Sequence, residues 1–229
     1  MFSDSLLQLL HVSDSALPIG GFSHSSGLET YVQEGSVNDK NSAKEFTVQQ
    51  LSQNIFYTDA ALLSLAYDAA SNNDLKTIIE LDDICTAVKL PLEIRLASNK
   101  LGIRLLKIFE NEDGFILANK YSKSILKKDA FGHYCISLGL LSQAMNINKQ
   151  QALTGFYYGV ANGFVTNSVK LIPLGQQDGQ EILMSLFPLI NELVQKSLQP
   201  DKEMIGYCCA GFDLRCMQHE QLYSRLYMS

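Results

Sequence analysis

Helical periodicity runs through almost the whole chain and leaves little room for any fold other than packed helices. In "SAKEFTVQQLSQNIFYTDAALLSLAYDAA", residues 42–70, apolar side chains such as Phe46, Ile55, Leu62, Leu65 and Ala66 return to one helical face. Similar stripes run through "LKTIIELDDICTAVKL" (75–90), "LEIRLASNKLGIRLLKIF" (92–109) and "CISLGLLSQAMNI" (135–147). The period-two alternation of a half-buried strand is scarce. Punctuation falls where helices should end: Pro91 separates two stripes, and residues 111–114 form a polar break. "QQDGQ" (176–180) reads as a turn. Pro188 sits inside "EILMSLFPLINELVQKSL" (181–198) and predicts a kink or break there.

With 46% apolar and 18% charged residues over 229 positions, the chain can bury a substantial core. No stretch has linker composition and no repeat is visible, so the expectation is all-α. It is a single-domain bundle of roughly eight to ten helices over residues 1–200, followed by a less regular tail, 201–229. Asn148 is placed to cap "KQQALTGFYYGVANGFVTNSVKLI", read as the central helix over 148–172. Gly155, Gly159 and Gly163 make one stripe on it. Each interior glycine costs about 1 kcal/mol against alanine, so the stripe predicts close approach of a neighbouring helix.

A formal net charge of -6 argues against a phosphate-backbone binder, so no nucleic acid is expected. No apolar run reaches bilayer length, so no membrane span is expected either. The start lacks a basic leader, and the five cysteines are an odd number. Both favour a reduced, cytoplasmic setting. Cys85 and Cys135 read as core residues. Cys208, Cys209, Cys216 and His219 resemble zinc ligands in type, but the adjacent Cys208–Cys209 pair is poorly spaced for one tetrahedral ion.

The unusual stretch is "SDSALPIGGFSHSSGLE", Ser13 to Glu29. It lacks the lysine of a phosphate-binding loop, and Ser25 stands where a hydrolase elbow needs its second glycine. Ser26 to Glu29 has the spacing of a capping box. That leaves Ser23, His24 and Ser25 without an evident structural task. No complete catalytic motif exists, so the chain reads as no enzyme.

This stretch resembles the N-terminal signature of the UreF family of urease accessory proteins. Three more blocks agree in order: "RLASNKLG" (95–102), "SVKLIPLGQQDGQ" (168–180) and the tail "HEQLYSRLYMS" (219–229). Ser26 stands where the family commonly has glycine, Lys170 where it has arginine, Tyr227 where it has phenylalanine and Cys216 where it often has serine. The resemblance implies an all-α homodimeric scaffold, or chaperone, that is not itself an enzyme. Its implied partners are a UreD (UreH)-like accessory protein, a UreG-like GTPase and the urease apoprotein. No cofactor is tightly bound on this reading; the whole complex handles nickel. Ser23, His24, Ser25 and Glu29 are expected on one docking surface. His219, Glu220, Leu222, Tyr223, Ser224, Arg225, Leu226 and Tyr227 are expected on a second, ordered by the UreD-like partner. Leu222, Tyr223, Leu226 and Tyr227 have helical spacing, and tyrosine and arginine dominate many interfaces. The alternative is a metallochaperone that binds nickel directly through His24, His219 or the late cysteines.

Overall fold

The computed structural model of the chain describes residues 5–110, 114–207 and 210–228. Every regular element among them is helical. The order is α1 (Ser5–Val12), a 3-10 turn (Gly21–Ser23), α2 (Leu28–Gln33) and α3 (Lys40–Gln49). A π-helical stretch (Gln50–Ala60) then joins α3 to α4 (Ala61–Ser71). After these come α5 (Leu75–Val88), α6 (Leu92–Ile108), α7 (Ile116–Leu126) and α8 (Tyr134–Ala144). The remainder is α9 (Lys149–Leu171), α10 (Gln176–Ser185), α11 (Phe187–Ser197) and α12 (Ala210–His219).

Asn148 starts α9 as its sequence predicts: its side-chain oxygen accepts from the Gln151 amide at 2.8 Å. The helix runs through the middle of the bundle, touching α1, α2, α3, α4, α8, α10 and α11. Around it Leu28, Leu51, Leu62, Ile136 and Leu141 are fully buried, as is its own Tyr157. The buried Tyr157 hydroxyl pairs with Ser197 Oγ at 2.8 Å, which ties α9 to α11 without leaving a polar atom stranded. Pro188 lies in the first turn of α11, where its missing N–H costs nothing. The expected break therefore falls at Leu186.

Two local expectations need correction. "QQDGQ" is the first turn of α10, because Asp178 reaches back to accept from the Gly175 amide at 3.2 Å. A carboxylate there also suits the positive end of the helix. The glycine stripe is not a helix–helix seam along its length. A Cβ on Gly155 would meet Ser13 Oγ and Leu9, but at Gly159 and Gly163 it would meet nothing within 4 Å. The lower stripe faces a cavity instead of a neighbouring helix.

Candidate partner-docking site

The opening loop is shaped by its own backbone. Gly20 takes a left-handed φ of 89°, and the Ser23 hydroxyl donates to the Gly20 carbonyl at 2.8 Å. Arg104 of α6 donates to the Ile19 carbonyl at 2.9 Å, and Asn167 of α9 donates to the His24 carbonyl at 3.0 Å. Ser26 (φ 52°) and Gly27 (φ 83°) are both left-handed. A Cβ on Gly27 would lie 2.6 Å from Cys216 Sγ, so only glycine allows α12 to come this close.

The capping box expected at Ser26–Glu29 does not form. A capping serine needs extended backbone, and Ser26 is left-handed. Ser25 takes the role one residue earlier, accepting from the Glu29 amide at 3.4 Å. The Glu29 carboxylate is used elsewhere. It is 4% exposed and accepts from the backbone amides of Leu226 (2.7 Å) and Tyr227 (3.1 Å). His219 Nε2 lies 3.2 Å from the same carboxylate, and His219 Nδ1 lies 2.8 Å from Glu93 of α6. Arg225 closes the knot by donating to Glu93 at 2.6 Å.

The tail is stitched to the loop along its length. Met228 donates its amide to the Ser23 carbonyl at 2.9 Å, and Gln33 donates to the Ser224 carbonyl at 3.0 Å. Thr30 donates to the Arg215 carbonyl at 3.1 Å, while Arg215 pairs with Glu34 at 2.8 Å. The two surfaces predicted separately are thus one continuous surface. After His219 the tail is not helical, contrary to the spacing of Leu222, Tyr223, Leu226 and Tyr227. Its amides at 226 and 227 go to Glu29 instead of to carbonyls four residues back.

The predicted site residues divide by burial. Tyr223 is fully exposed, Leu226 is 68% exposed, and Glu220, Ser224 and Arg225 are also at the surface. Ser23, His24 and Leu222 are half-buried. Ser25, Glu29, His219 and Tyr227 are buried, so in this conformation they fasten the surface and do not face outward from it. Glu93, Thr30, Gln33 and Asn167 were not legible as site residues; only the folded chain brings them to the tail.

The family model of UreF matches residues 37–187. A protein named urease accessory protein UreF from Actinobacillus pleuropneumoniae serotype 5b is 48% identical over 96% of this chain and 97% of its own length. Namesakes from Haemophilus influenzae strain PittGG and Bacillus sp. strain TB-90 are 46% and 34% identical, over 96% and 98% of this chain and 94% and 99% of their own lengths. The chain belongs to the UreF family. It is therefore one of the urease accessory proteins.

The UreF blocks acquire physical roles in the structure. In "RLASNKLG", Arg95 donates to the Lys89 carbonyl at 2.9 Å, and Ser98 Oγ meets His133 Nδ1 at 3.0 Å. Any side chain at Gly102 would collide with the Gly132 carbonyl. This block is the seat of the α7–α8 connection. In "SVKLIPLGQQDGQ", Asn167, just ahead of the block, holds the opening loop, while Gly179 fits α10 against Val169 of α9.

Behind the loop lies a cavity of about 450 Å³, walled in part by Ser13, His24, Gly159, Gly163 and Lys170. Burial lowers the His24 pKa, with Lys100 and Arg104 acting in the same direction against Glu93. Near neutrality His24 is therefore an uncharged hydrogen-bonding group. Among the described residues no three His, Cys, Asp or Glu side chains converge as a metal site. His219 has a carboxylate on each ring nitrogen, and burial pushes the Cys216 thiol up, away from the thiolate form a metal requires. Cys208 and Cys209 lie outside the described residues. No helix among the described residues is long and apolar enough to cross a membrane.

Proposed function

We propose that this chain is the scaffold that holds a UreD (UreH)-like protein and a UreG-like GTPase together for nickel insertion into apo-urease. On this reading it acts in the cytoplasm as a homodimer, binds no cofactor tightly, and neither makes nor breaks a bond. One observation supports the reading above others. Tyr223 and Leu226 stand exposed on a segment whose backbone is pinned by the buried Glu29 and His219. Large apolar groups on an ordered backbone lose little further entropy on binding, which favours affinity. The UreD-like protein takes this tail face. The UreG-like protein takes the adjoining loop, with His24 as a neutral polar contact.

Co-purification with tagged UreD-like protein tests the tail. Tyr223→Ala with Leu226→Ala, which leaves Glu29 and His219 in place, should lower capture at least about tenfold. Deletion after Gln218 should abolish it. Undiminished capture by both variants removes the tail from the interface. His24→Ala should leave capture of the UreD-like protein intact and weaken UreG recruitment; unchanged recruitment makes His24 a structural residue. Light scattering on the chain alone should give the mass of a dimer.

A further inference from the structure

Two thiols that the docking reading leaves unused meet inside the bundle. Cys85 of α5 and Cys135, in the first turn of α8, are fifty residues apart in sequence, yet their Sγ atoms are 3.7 Å apart. Both are fully buried. Their surroundings are unusually polar for a core. The His133 ring is held between Thr86 Oγ1 at 2.8 Å and Ser98 Oγ at 3.0 Å, beside Cys85. Lys89, one turn beyond Cys85, is buried as well and pairs with Asp59 at 2.7 Å.

These neighbours divide the two sulfurs. Burial works against a thiolate at Cys85, but the Cys135 thiol, the adjacent His133 ring and the Lys89 charge outweigh it and hold Cys85 below the usual thiol range. Burial and the adjacent Cys85 push Cys135 well above that range. Cys85, with Lys89 one turn along its helix and the His133 ring beside it, is the better placed of the two to carry the charge. The cavity behind the opening loop ends close to this cluster: Asp59, Lys89, Ser98 and Tyr134 line it, and the two sulfurs lie beneath them, so a small oxidant has one layer of side chains to pass.

We propose that Cys85 and Cys135 are a redox modification site, closing to a disulfide on hydrogen peroxide and reopening with a dithiol. The Cys85 thiolate attacks one peroxide oxygen, the O–O bond breaks, and the departing hydroxide takes up the proton that the Cys85 thiol released, becoming water. This leaves Cys85 as a sulfenic acid. The Cys135 sulfur then attacks the Cys85 sulfur and displaces hydroxide, which leaves as water with the Cys135 proton. Two thiols are oxidised and one peroxide is reduced to two waters. The sulfurs must close from 3.7 Å to a bond of about 2.05 Å, a small shift that links α5 to α8.

The test uses the full-length protein, treated with hydrogen peroxide, alkylated under denaturing conditions and mapped by mass spectrometry. Cys85 and Cys135 should leave the alkylated pool together, appear as one cross-linked peptide and return after dithiothreitol. In Cys135→Ser the cross-link should be absent and Cys85 should carry a dimedone adduct. The proposal is overturned if both thiols still alkylate at peroxide levels that oxidise free cysteine. It is equally overturned if Cys85 proceeds to sulfinic acid unlinked, or bonds to Cys208, Cys209 or Cys216 instead. Because these readouts involve no partner protein, the docking reading stands or falls separately.

Discussion

Glu29 and Tyr227 lie 198 residues apart, yet the carboxylate of the first accepts the backbone amide of the second at 3.1 Å in the interior of the protein. A buried carboxylate is costly to desolvate unless its acceptor sites are filled. Glu29 is filled almost entirely by the tail, with Leu226 and His219 as its other donors. The opening loop and the C-terminus therefore order one another.

Glu29→Ala should release the tail while leaving the bundle folded. Charge-assisted bonds of this kind contribute about 1.5–3 kcal/mol each. Amide exchange at Leu226 and Tyr227 should accelerate by at least tenfold, and protease should cut within 220–228. Protection at those two amides equal to that of the unmodified chain would show that the tail is held by something other than Glu29.

Lys89 and Asp59 form a buried lysine–carboxylate pair at 2.7 Å. Burial opposes the Asp59 carboxylate, but Lys89 overrides it and the folded-state pKa is lowered. Stability from this pair is full above the unfolded aspartate pKa of about 3.9 and is lost as pH falls through the lower folded value. Lys89→Met strands the carboxylate and should cost about 3–5 kcal/mol at pH 7. In that variant the Asp59 pKa rises instead of falling, so the deficit should shrink toward pH 4. Adding Asp59→Asn should recover much of the loss. Thermal melts of the three proteins across pH check the sign as well as the size.

What was legible in the sequence was whatever repeats locally. Helical stripes gave the all-α class, Asn148 gave the start of α9, and Pro188 gave the break before α11. The site was legible only as two segments of unusual composition. Their joining depends on Glu29 meeting Leu226, on Glu93 meeting Arg225, and on α12 approaching Gly27, and none of these leaves a periodic trace. The Glu29 spacing even imitated a capping box. The left-handed backbone at Ser26, which defeats that reading, depends on packing that the tetrapeptide does not contain.

Ser26 has a φ of 52° with a side chain that gains nothing evident from it. A non-glycine residue in this region costs roughly 1–2 kcal/mol, partly offset in glycine by the entropy of the unfolded chain. Ser26→Gly should therefore stabilise the protein by roughly 0.5–1 kcal/mol, read as a higher urea midpoint with unchanged slope. A lower midpoint would mean that the serine hydroxyl holds a partner in solution.

The glycine stripe of α9 offers two opposed expectations for one substitution. Had Gly159 and Gly163 been seam residues, a methyl group at either would force neighbouring backbone apart and destabilise the bundle. In the structure a Cβ at either position meets only open space on the cavity wall. Alanine then adds helix propensity without a clash, about 1 kcal/mol per site. Gly159→Ala and Gly163→Ala should each raise the melting temperature, and the double variant should raise it further. Gly155→Ala is the internal control. Its Cβ would fall 2.6 Å from Ser13 Oγ and 2.8 Å from Leu9 Cδ1, so it should lower the melting temperature by crowding the opening loop off α9. Destabilisation at all three positions would close the cavity and restore the seam; the predicted pattern is a gain at two glycines and a loss at the third.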